Sequence, residues 1–174
     1  MVAPQCAEFG GWRTMVKAID VKTIGLGGDS EISIGTNGRV EVGPQRAVPL
    51  SLIASRVPEV IGLLLSDLAD TDGGSLHGRF LVLPFGKDDR PPPDGLSARE
   101  SEILAQVSDF PLALRRVAVS SAAQRAISAL RRKGLVQLCG FTPSDAAHVL
   151  KLQSNWNLDA AQLGAKLLAR FRTM

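Results

Sequence analysis

Aromatic residues are scarce, because the chain has no tyrosine, six phenylalanines and two tryptophans. This scarcity disfavours a surface that stacks the bases of single-stranded nucleic acid. The only cysteines are Cys6 and Cys139, so we expect free thiols rather than a disulfide framework. No apolar run approaches the roughly 18–20 residues that span a bilayer. The first residues also lack the charged start and apolar run of a signal peptide. We therefore expect a cytoplasmic protein without a membrane partner.

Acidic residues are missing from residues 110–144, although the whole chain has a formal net charge of only +3. The basic residues of this segment are Arg115, Arg116, Arg125, Arg131, Arg132 and Lys133. Such an uneven charge distribution attracts polyanions or an acidic neighbouring surface.

Periodicity predicts an α/β (α+β) fold whose first unit covers residues 1–86. Residues 31–34 and 39–42 alternate polar and apolar side chains around Asn37 and Gly38, which predicts a β-hairpin. Gly43 and Pro44 are expected to end its second strand. Residues 50–70 have helical spacing with a restart at Pro58, and residues 80–83 are typical of a short buried strand.

A proline-rich linker is predicted at residues 87–95, because three consecutive prolines can continue neither a helix nor a central strand. A helical unit then covers residues 96–141. Ser97 and Glu100 have the spacing of a capping box, and further helices are predicted at 112–118 and from Ser120 or Ser121. Gly134 is expected to cap the last of these helices, before a strand at 135–138.

C-terminal helices are predicted for residues 142–174. Thr142 has the position of a helix cap and Pro143 that of a first helical residue. The final helix is expected from about Leu158, with Leu163 and Leu167 on its apolar stripe together with Phe171.

The glycine-rich turn at residues 25–30 is the main candidate for ligand contact. Its candidate binding residues are Gly25, Gly27, Gly28, Asp29 and Ser30. Glycines allow backbone amides to approach an anion, and a serine hydroxyl can donate a further hydrogen bond. No lysine follows the glycines as in a P-loop, and a strand rather than a helix comes next. A phosphate site and a purely structural turn both fit this pattern.

The remaining polar residues allow two interpretations each. Asp29 and Glu31 could hold Mg²⁺ through water, or could be a solvated pair beside the turn. Asp145 is a second candidate site, or a carboxylate that stabilises a helix start. His77 and His148 belong to no cluster with metal-ligand spacing, so we predict no metal site and assign no catalytic residue.

Three segments carry a family resemblance. Residues 10–31 end in Thr23-Ile24-Gly25-Leu26-Gly27-Gly28-Asp29-Ser30-Glu31, residues 42–46 read Val-Gly-Pro-Gln-Arg, and residues 140–146 read Gly-Phe-Thr-Pro-Ser-Asp-Ala. In this order they resemble the A-type subunit of the ATP-dependent hydantoinase/oxoprolinase family, with Ser144 in place of a threonine.

The resemblance implies part of an actin-like ATPase fold that uses ATP and Mg²⁺ to open a small cyclic amide. The Asp-x-Gly-Gly-Thr segments that bind phosphates in this family are absent from the chain. We therefore expect a fragment of an ATP-dependent enzyme that is inactive alone, with no cofactor of its own. Its expected partner is the remainder of the enzyme or a partner subunit.

A winged-helix DNA-binding module is the alternative prediction. Residues 97–141 contain three predicted helices and a strand in the order of a winged helix, and the third helix carries Arg125, Arg131 and Arg132. Such a helix can enter a major groove and place arginines on phosphates or guanine edges. A purely structural or interaction domain is the third alternative.

Overall fold

The chain has a mixed α/β fold, as the periodicity predicted. The computed structural model describes residues 6–9, 12–17, 26–35, 38–71, 74–85, 93–107 and 110–172. These residues form eight strands and seven helices. None of the helices in these ranges combines the length and the apolar character that crossing a membrane requires.

Two antiparallel hairpins come first in the chain. Strand β1 (Cys6–Phe9) pairs with β2 (Trp12–Lys17), and β3 (Ser30–Ile34) pairs with β4 (Val40–Arg46), which confirms the hairpin predicted around Gly38.

The prediction that Gly43 and Pro44 end the second strand is wrong, because β4 continues to Arg46. The pairing changes register between Ser30–Arg46 and Ile32–Val42, so residues 43–45 bulge out opposite a single residue of β3. A bulge tolerates the proline because its missing N–H is not needed there, and it suits Gly43, whose φ is +65°.

A four-stranded sheet joins the two sides of the proline-rich segment. It contains β5 (Val48–Pro49), β6 (Phe80–Val82), β7 (Leu112–Ala113) and β8 (Gln137–Gly140), in the order β5-β8-β6-β7. Only the β5–β8 pair is parallel. Strands from before and after residues 87–95 share this sheet. Backbone hydrogen bonds between these strands therefore connect the predicted units at 1–86 and 96–141.

Seven helices surround this sheet. They are α1 (Leu50–Arg56), α2 (Val60–Ala69), α3 (Ala98–Gln106), α4 (Leu114–Val117), α5 (Ser121–Arg132), α6 (Pro143–Val149) and α7 (Leu158–Arg172). Capping boxes start α3 and α6, at Ser97 and Thr142, and the Ser120 side chain caps α5. These helix starts were predicted correctly, because a cap depends on residues three positions apart in the sequence.

Two predicted boundaries near the sheet are wrong. Residues 112–113 were assigned to a helix, but they pair with Leu81 and Phe80, so α4 begins only at Leu114. The strand predicted at 135–138 lies at 137–140, where it pairs with both β5 and β6. In both cases the boundary is set by a partner that is remote in sequence.

The two faces of the sheet bury separate cores. Leu81 and Leu138 face α3 and α5, whereas Phe80 and Cys139 face α1, α2 and α7. This alternation follows from the two-residue period of a strand. Burial, and then the nearby Asp145 carboxylate, raise the pKa of the Cys139 thiol well above its ordinary value. The prediction of a free thiol is confirmed for Cys139.

Candidate functional site

The glycine-rich turn is closed by its own serine. The Ser30 Oγ accepts a hydrogen bond of 2.9 Å from Gly27 N, and Ser30 N donates to Gly27 O at 3.0 Å. Ser30 is fully buried. Its hydroxyl therefore holds the turn together, whereas Gly25 lies outside the described residues.

Gly28 connects this turn to helix α6. Its carbonyl accepts a hydrogen bond of 3.1 Å from Ser144 N. A β-carbon at position 28 would lie 2.7 Å from the Ser144 Oγ, closer than such atoms approach each other. The glycine thus allows α6 to start against the turn, and the structure brings together two of the segments that carry the family resemblance.

Asp29 and Glu31 are held by different arginines. Asp29 precedes β3 and forms an ion pair with Arg46. Glu31 is buried in β3 and forms an ion pair with Arg79. The residues that the structure describes contain no group of three histidine, cysteine or acidic side chains that could hold a metal ion.

Asp145 ties two helix starts together. The fully buried carboxylate accepts hydrogen bonds from Leu50 N at 3.2 Å and from Ser51 N and Oγ at 2.7 and 2.6 Å. It also accepts bonds of 2.9 Å from the Thr142 N and Oγ1. With these five hydrogen bonds, the starts of α1 and α6 occupy both oxygens of the carboxylate. Asp145 therefore fits the prediction of a carboxylate that stabilises a helix start, and not that of a ligand site.

His148 is likewise occupied by structural contacts. Its Nδ1 lies 2.7 Å from the Ser144 carbonyl oxygen, to which it donates, and its Nε2 accepts a bond of 3.1 Å from Trp156 N. The two rings stack with 5.3 Å between their centroids. A base needs a free nitrogen, and this buried ring has none, so His148 has a packing role.

The candidate site lies elsewhere, in an open cleft of about 1090 Å³ between α5 and strands β4 and β5. One wall is the polar stripe of α5, and the other is the end of β4 with Asp29 of the turn. The lining residues are Asp29, Gln45, Arg46, Ala47, Val48, Pro49, Leu52, Phe85, Ser121, Gln124, Arg125, Ser128, Arg131, Arg132, Val136, Gln137 and Leu138.

Positive charge dominates this cleft, because four arginines line it and Asp29 is its single acidic residue. The aspartate pairs with Arg46. Arg125 and Arg132 are exposed and make no hydrogen bond or ion pair within the described ranges. Their guanidinium groups are therefore available to a ligand.

Arg131 is held in place by β4. It donates to the Gln45 Oε1 at 2.6 Å and to the Arg46 carbonyl oxygen at 3.4 Å, both neutral acceptors. Burial lowers the pKa of Arg131, and the Glu31 carboxylate opposes this effect. An arginine nevertheless stays charged at neutral pH, so Arg131 adds a preoriented positive charge.

The sequence pointed to the arginines of α5 and to Asp29 of the turn, but not to Arg46 or the apolar residues of the cleft. Arg46 follows the bulge in β4, and Leu52 and Phe85 supply part of the apolar floor. The Arg56 guanidinium lies 3.9 Å from the centre of the Phe85 ring. No local signal connects these residues with α5, because they come together through tertiary contacts such as the pairing of β5 with β8 and the hydrogen bond from Arg131 to Gln45.

No family model, no curated protein and no solved structure matches this chain. The resemblance to the hydantoinase/oxoprolinase family thus remains a proposal, and the contacts described above carry the functional argument.

Proposed function

We propose that the cleft binds a small phosphate-bearing ligand and that the chain supplies this site to an ATP-dependent enzyme. The observation that carries the proposal is the clustering of Arg46, Arg125, Arg131 and Arg132 around a single carboxylate. Each guanidinium offers parallel N–H donors that match phosphate oxygens, and several arginines together match a polyphosphate.

The dimensions of the cleft support a ligand of nucleotide size. Binding sites for small molecules measure roughly 300–1,000 Å³, and this cleft, at about 1090 Å³, is slightly larger than that range. Its lining also includes the partly exposed Val48 and Leu52, which can cover an apolar ring while the arginines bind phosphates.

The enzyme is proposed to be of the hydantoinase/oxoprolinase type, with this chain as a fragment of its actin-like fold. The contact between Gly28 and Ser144 supports the proposal, because it joins two resemblance segments that are more than a hundred residues apart. In the intact, cytoplasmic enzyme, ATP and Mg²⁺ would activate a small cyclic amide. Without Asp-x-Gly-Gly-Thr segments the chain itself is expected to bind anions weakly and not to hydrolyse ATP.

DNA binding by a winged-helix module is the second candidate, since Arg125 and Arg132 are exposed on α5. However, the polar stripe of α5 lines a cleft whose opposite wall is the end of β4, which narrows the approach of a duplex to this helix. Strand β8 is followed by α6, whereas a winged helix continues into a second wing strand. These features favour a small ligand in the cleft over a duplex. A purely structural or interaction domain would bind neither.

The test is a titration of the 174-residue chain with tripolyphosphate at low and high salt, followed by calorimetry. We expect weak binding that falls as salt screens the arginines. The double substitution Arg125→Ala and Arg132→Ala should weaken binding by about tenfold or more, because each removes charge-assisted hydrogen bonds. The matched control, Lys151→Ala with Lys166→Ala, removes the same charge from outside the cleft and should change little.

Two outcomes would overturn the proposal. Absence of tripolyphosphate binding at low salt would remove the anion site, and binding to a mixed DNA duplex that tripolyphosphate does not displace would favour the DNA-binding module. Turnover of Mg-ATP by the isolated chain would contradict its assignment as an inactive fragment.

A further inference from the structure

The outer edge of β4 has no strand partner within the described ranges, because β3 and β4 form a sheet of two strands. The outer edge of β3 is engaged, since Ile32 N donates to the Phe141 carbonyl oxygen at 2.8 Å. Along β4, by contrast, residues 39–42 are all exposed. An exposed edge of this kind can pair with a strand of another molecule.

The backbone groups of Val40 and Val42 point toward this outer edge. Ile32 lies opposite Val42, and its N–H is bonded on the side away from β4. The pair therefore exchanges no hydrogen bonds. Pairs of this kind recur at every second position of an antiparallel ladder, so Val40 belongs to another one. The N–H and C=O groups of both valines are thus directed at an incoming strand.

The open part of the edge is short and is bounded on both sides. Gly38, with φ of +71°, ends the extended backbone on one side. The bulge at residues 43–45, which contains a proline, ends it on the other. Beyond the bulge, Arg131 of α5 donates to the Arg46 carbonyl oxygen. A partner strand therefore has residues 39–42 to pair with.

The side chains of this segment match a second copy of themselves. Val40 and Val42 lie on one face of the strand, with 52% and 39% of their surface exposed. Arg39 and Glu41 alternate with them on the other face and are exposed. One face is thus apolar, and the other has one positive and one negative charge, so two copies can pair valine with valine and base with acid.

Charge selects one register between two copies. Antiparallel pairing through the outward groups allows a two-fold axis at Val40 or at Glu41, whereas the bulge blocks registers that run past Val42. An axis at Glu41 places the two Glu41 carboxylates opposite each other, and like charges in this position destabilise a sheet. An axis at Val40 places Arg39 opposite Glu41 of the second copy, twice.

We propose that the edge of β4 pairs with the same edge of a second copy, with the two-fold axis at Val40. The product is a symmetric dimer with a continuous antiparallel sheet in the order β3-β4-β4-β3. Such an interface uses the same surface of both copies, so the assembly closes at two chains. The proposal goes beyond the anion site and does not rest on it, because residues 39–42 do not line the arginine cleft.

Sedimentation velocity of the 174-residue chain over a range of concentrations is the first test. We expect a dimer whose fraction rises with concentration, and a weak one, since the paired segment is short. Val40→Pro should abolish the dimer, because it removes the outward N–H but none of the hydrogen bonds to β3. The matched control Val40→Thr retains this N–H and should still form the dimer.

A charge swap tests the register. Glu41→Arg should weaken the dimer about tenfold or more, because it places an arginine opposite Arg39 of the second copy on both sides of the axis. Adding Arg39→Glu restores opposite charges and should return the dissociation constant to that of the unchanged chain. Glu59→Arg makes the same change of charge at an exposed position outside the edge and should leave the dimer unchanged.

Three outcomes would each overturn the proposal. A chain that stays monomeric at every concentration would leave the edge to a strand of a different protein. A dimer that survives Val40→Pro would use another surface, and a dimer strengthened by Glu41→Gln would have its axis at Glu41. Circular dichroism checks that each variant folds, and the charge swap provides the test if Val40→Pro does not. Loss of anion binding by the Arg125→Ala and Arg132→Ala variant should leave the dimer unchanged.

Discussion

The carboxylate of Asp145 and the arginines of the cleft are both conspicuous charges, yet their surroundings differ completely. Asp145 is fully buried and accepts five hydrogen bonds from the starts of α1 and α6. Arg125 and Arg132 are exposed and have no hydrogen-bond or ion-pair partner in the described ranges. A charged group whose hydrogen bonds are all made within the protein stabilises the fold, whereas a charged group without such partners can still bind a ligand.

The same difference separates the glycine-rich turn from the cleft. Ser30 closes the turn, and Gly28 admits α6, so these residues are already engaged by the protein. Asp29 is the residue of the turn that lines the cleft, where it pairs with Arg46. The glycine-rich turn, which was the main candidate for ligand contact, is thus a structural contact with α6. The unpaired arginines lie beside this turn, in the cleft.

The substitution Asp145→Ala should have the largest effect on stability. It leaves the buried donors of Leu50, Ser51 and Thr142 without an acceptor, and we expect a loss of about 3–5 kcal/mol in the free energy of unfolding. Urea denaturation measures this loss. Asp159→Ala is the matched control, since Asp159 is an exposed acid in the first turn of α7 and should cost less than about 1 kcal/mol. Equal unfolding midpoints for the two variants would contradict the assignment of Asp145 as a structural residue, and with it the difference between Asp145 and the arginines of the cleft.

The substitution Gly164→Ala should have an intermediate effect. An alanine usually stabilises a helix relative to glycine, but here its β-carbon meets Leu50 and Phe141, so we expect a loss of about 1–3 kcal/mol. In the control Gly62→Ala the new β-carbon has no atom within 4 Å, so it should stabilise the chain by about 0.5–1 kcal/mol. Thermal unfolding should show a lower midpoint for Gly164→Ala and a higher midpoint for Gly62→Ala. A higher midpoint for both variants would contradict the close packing of α7 against Leu50 and Phe141.

The substitution Glu100→Gln should have the smallest effect, a loss of stability that is present above about pH 4.5 and shrinks as the pH falls. Hydrogen bonds from Lys133 and then from Ser97 lower the pKa of Glu100 from its ordinary value of 4.5 to about 2. Because the folded-state pKa is depressed, Glu100 stabilises the fold above about pH 4.5, and this contribution is lost as the pH falls toward 2. Unfolding midpoints of the unchanged chain should therefore fall more steeply over this range than those of Glu100→Gln.

A matched control for the pH experiment is Glu102→Gln, because Glu102 pairs with Arg99 on the exposed side of the same helix. Exposed ion pairs contribute little to stability, so this variant should follow the pH profile of the unchanged chain. Parallel profiles for Glu100→Gln and the unchanged chain would show that the bond between Lys133 and Glu100 does not persist in solution.

Local signals in the sequence were sufficient for the helix starts and the hairpin. Ser97, Ser120 and Thr142 cap helices as expected, and Gly134 has the left-handed backbone predicted for it, with φ of +68°. These features depend on residues within a few positions of one another, where backbone geometry and side-chain hydrogen bonds decide the outcome.

Tertiary pairing decided the rest. Residues 112–113 became a strand because β6 lies beside them, and β4 continued past Pro44 because a bulge absorbed the extra residues. The arginines of α5 were evident from the charge pattern, but Arg46 lies beside them only in the folded chain, where β5 pairs with β8 and Arg131 bonds to Gln45 and the Arg46 carbonyl. The sequence by itself determined which segments are helical and where positive charge accumulates. Only the tertiary structure decided which charged side chains have hydrogen-bond partners and which face a cavity, because both depend on contacts between residues far apart in sequence.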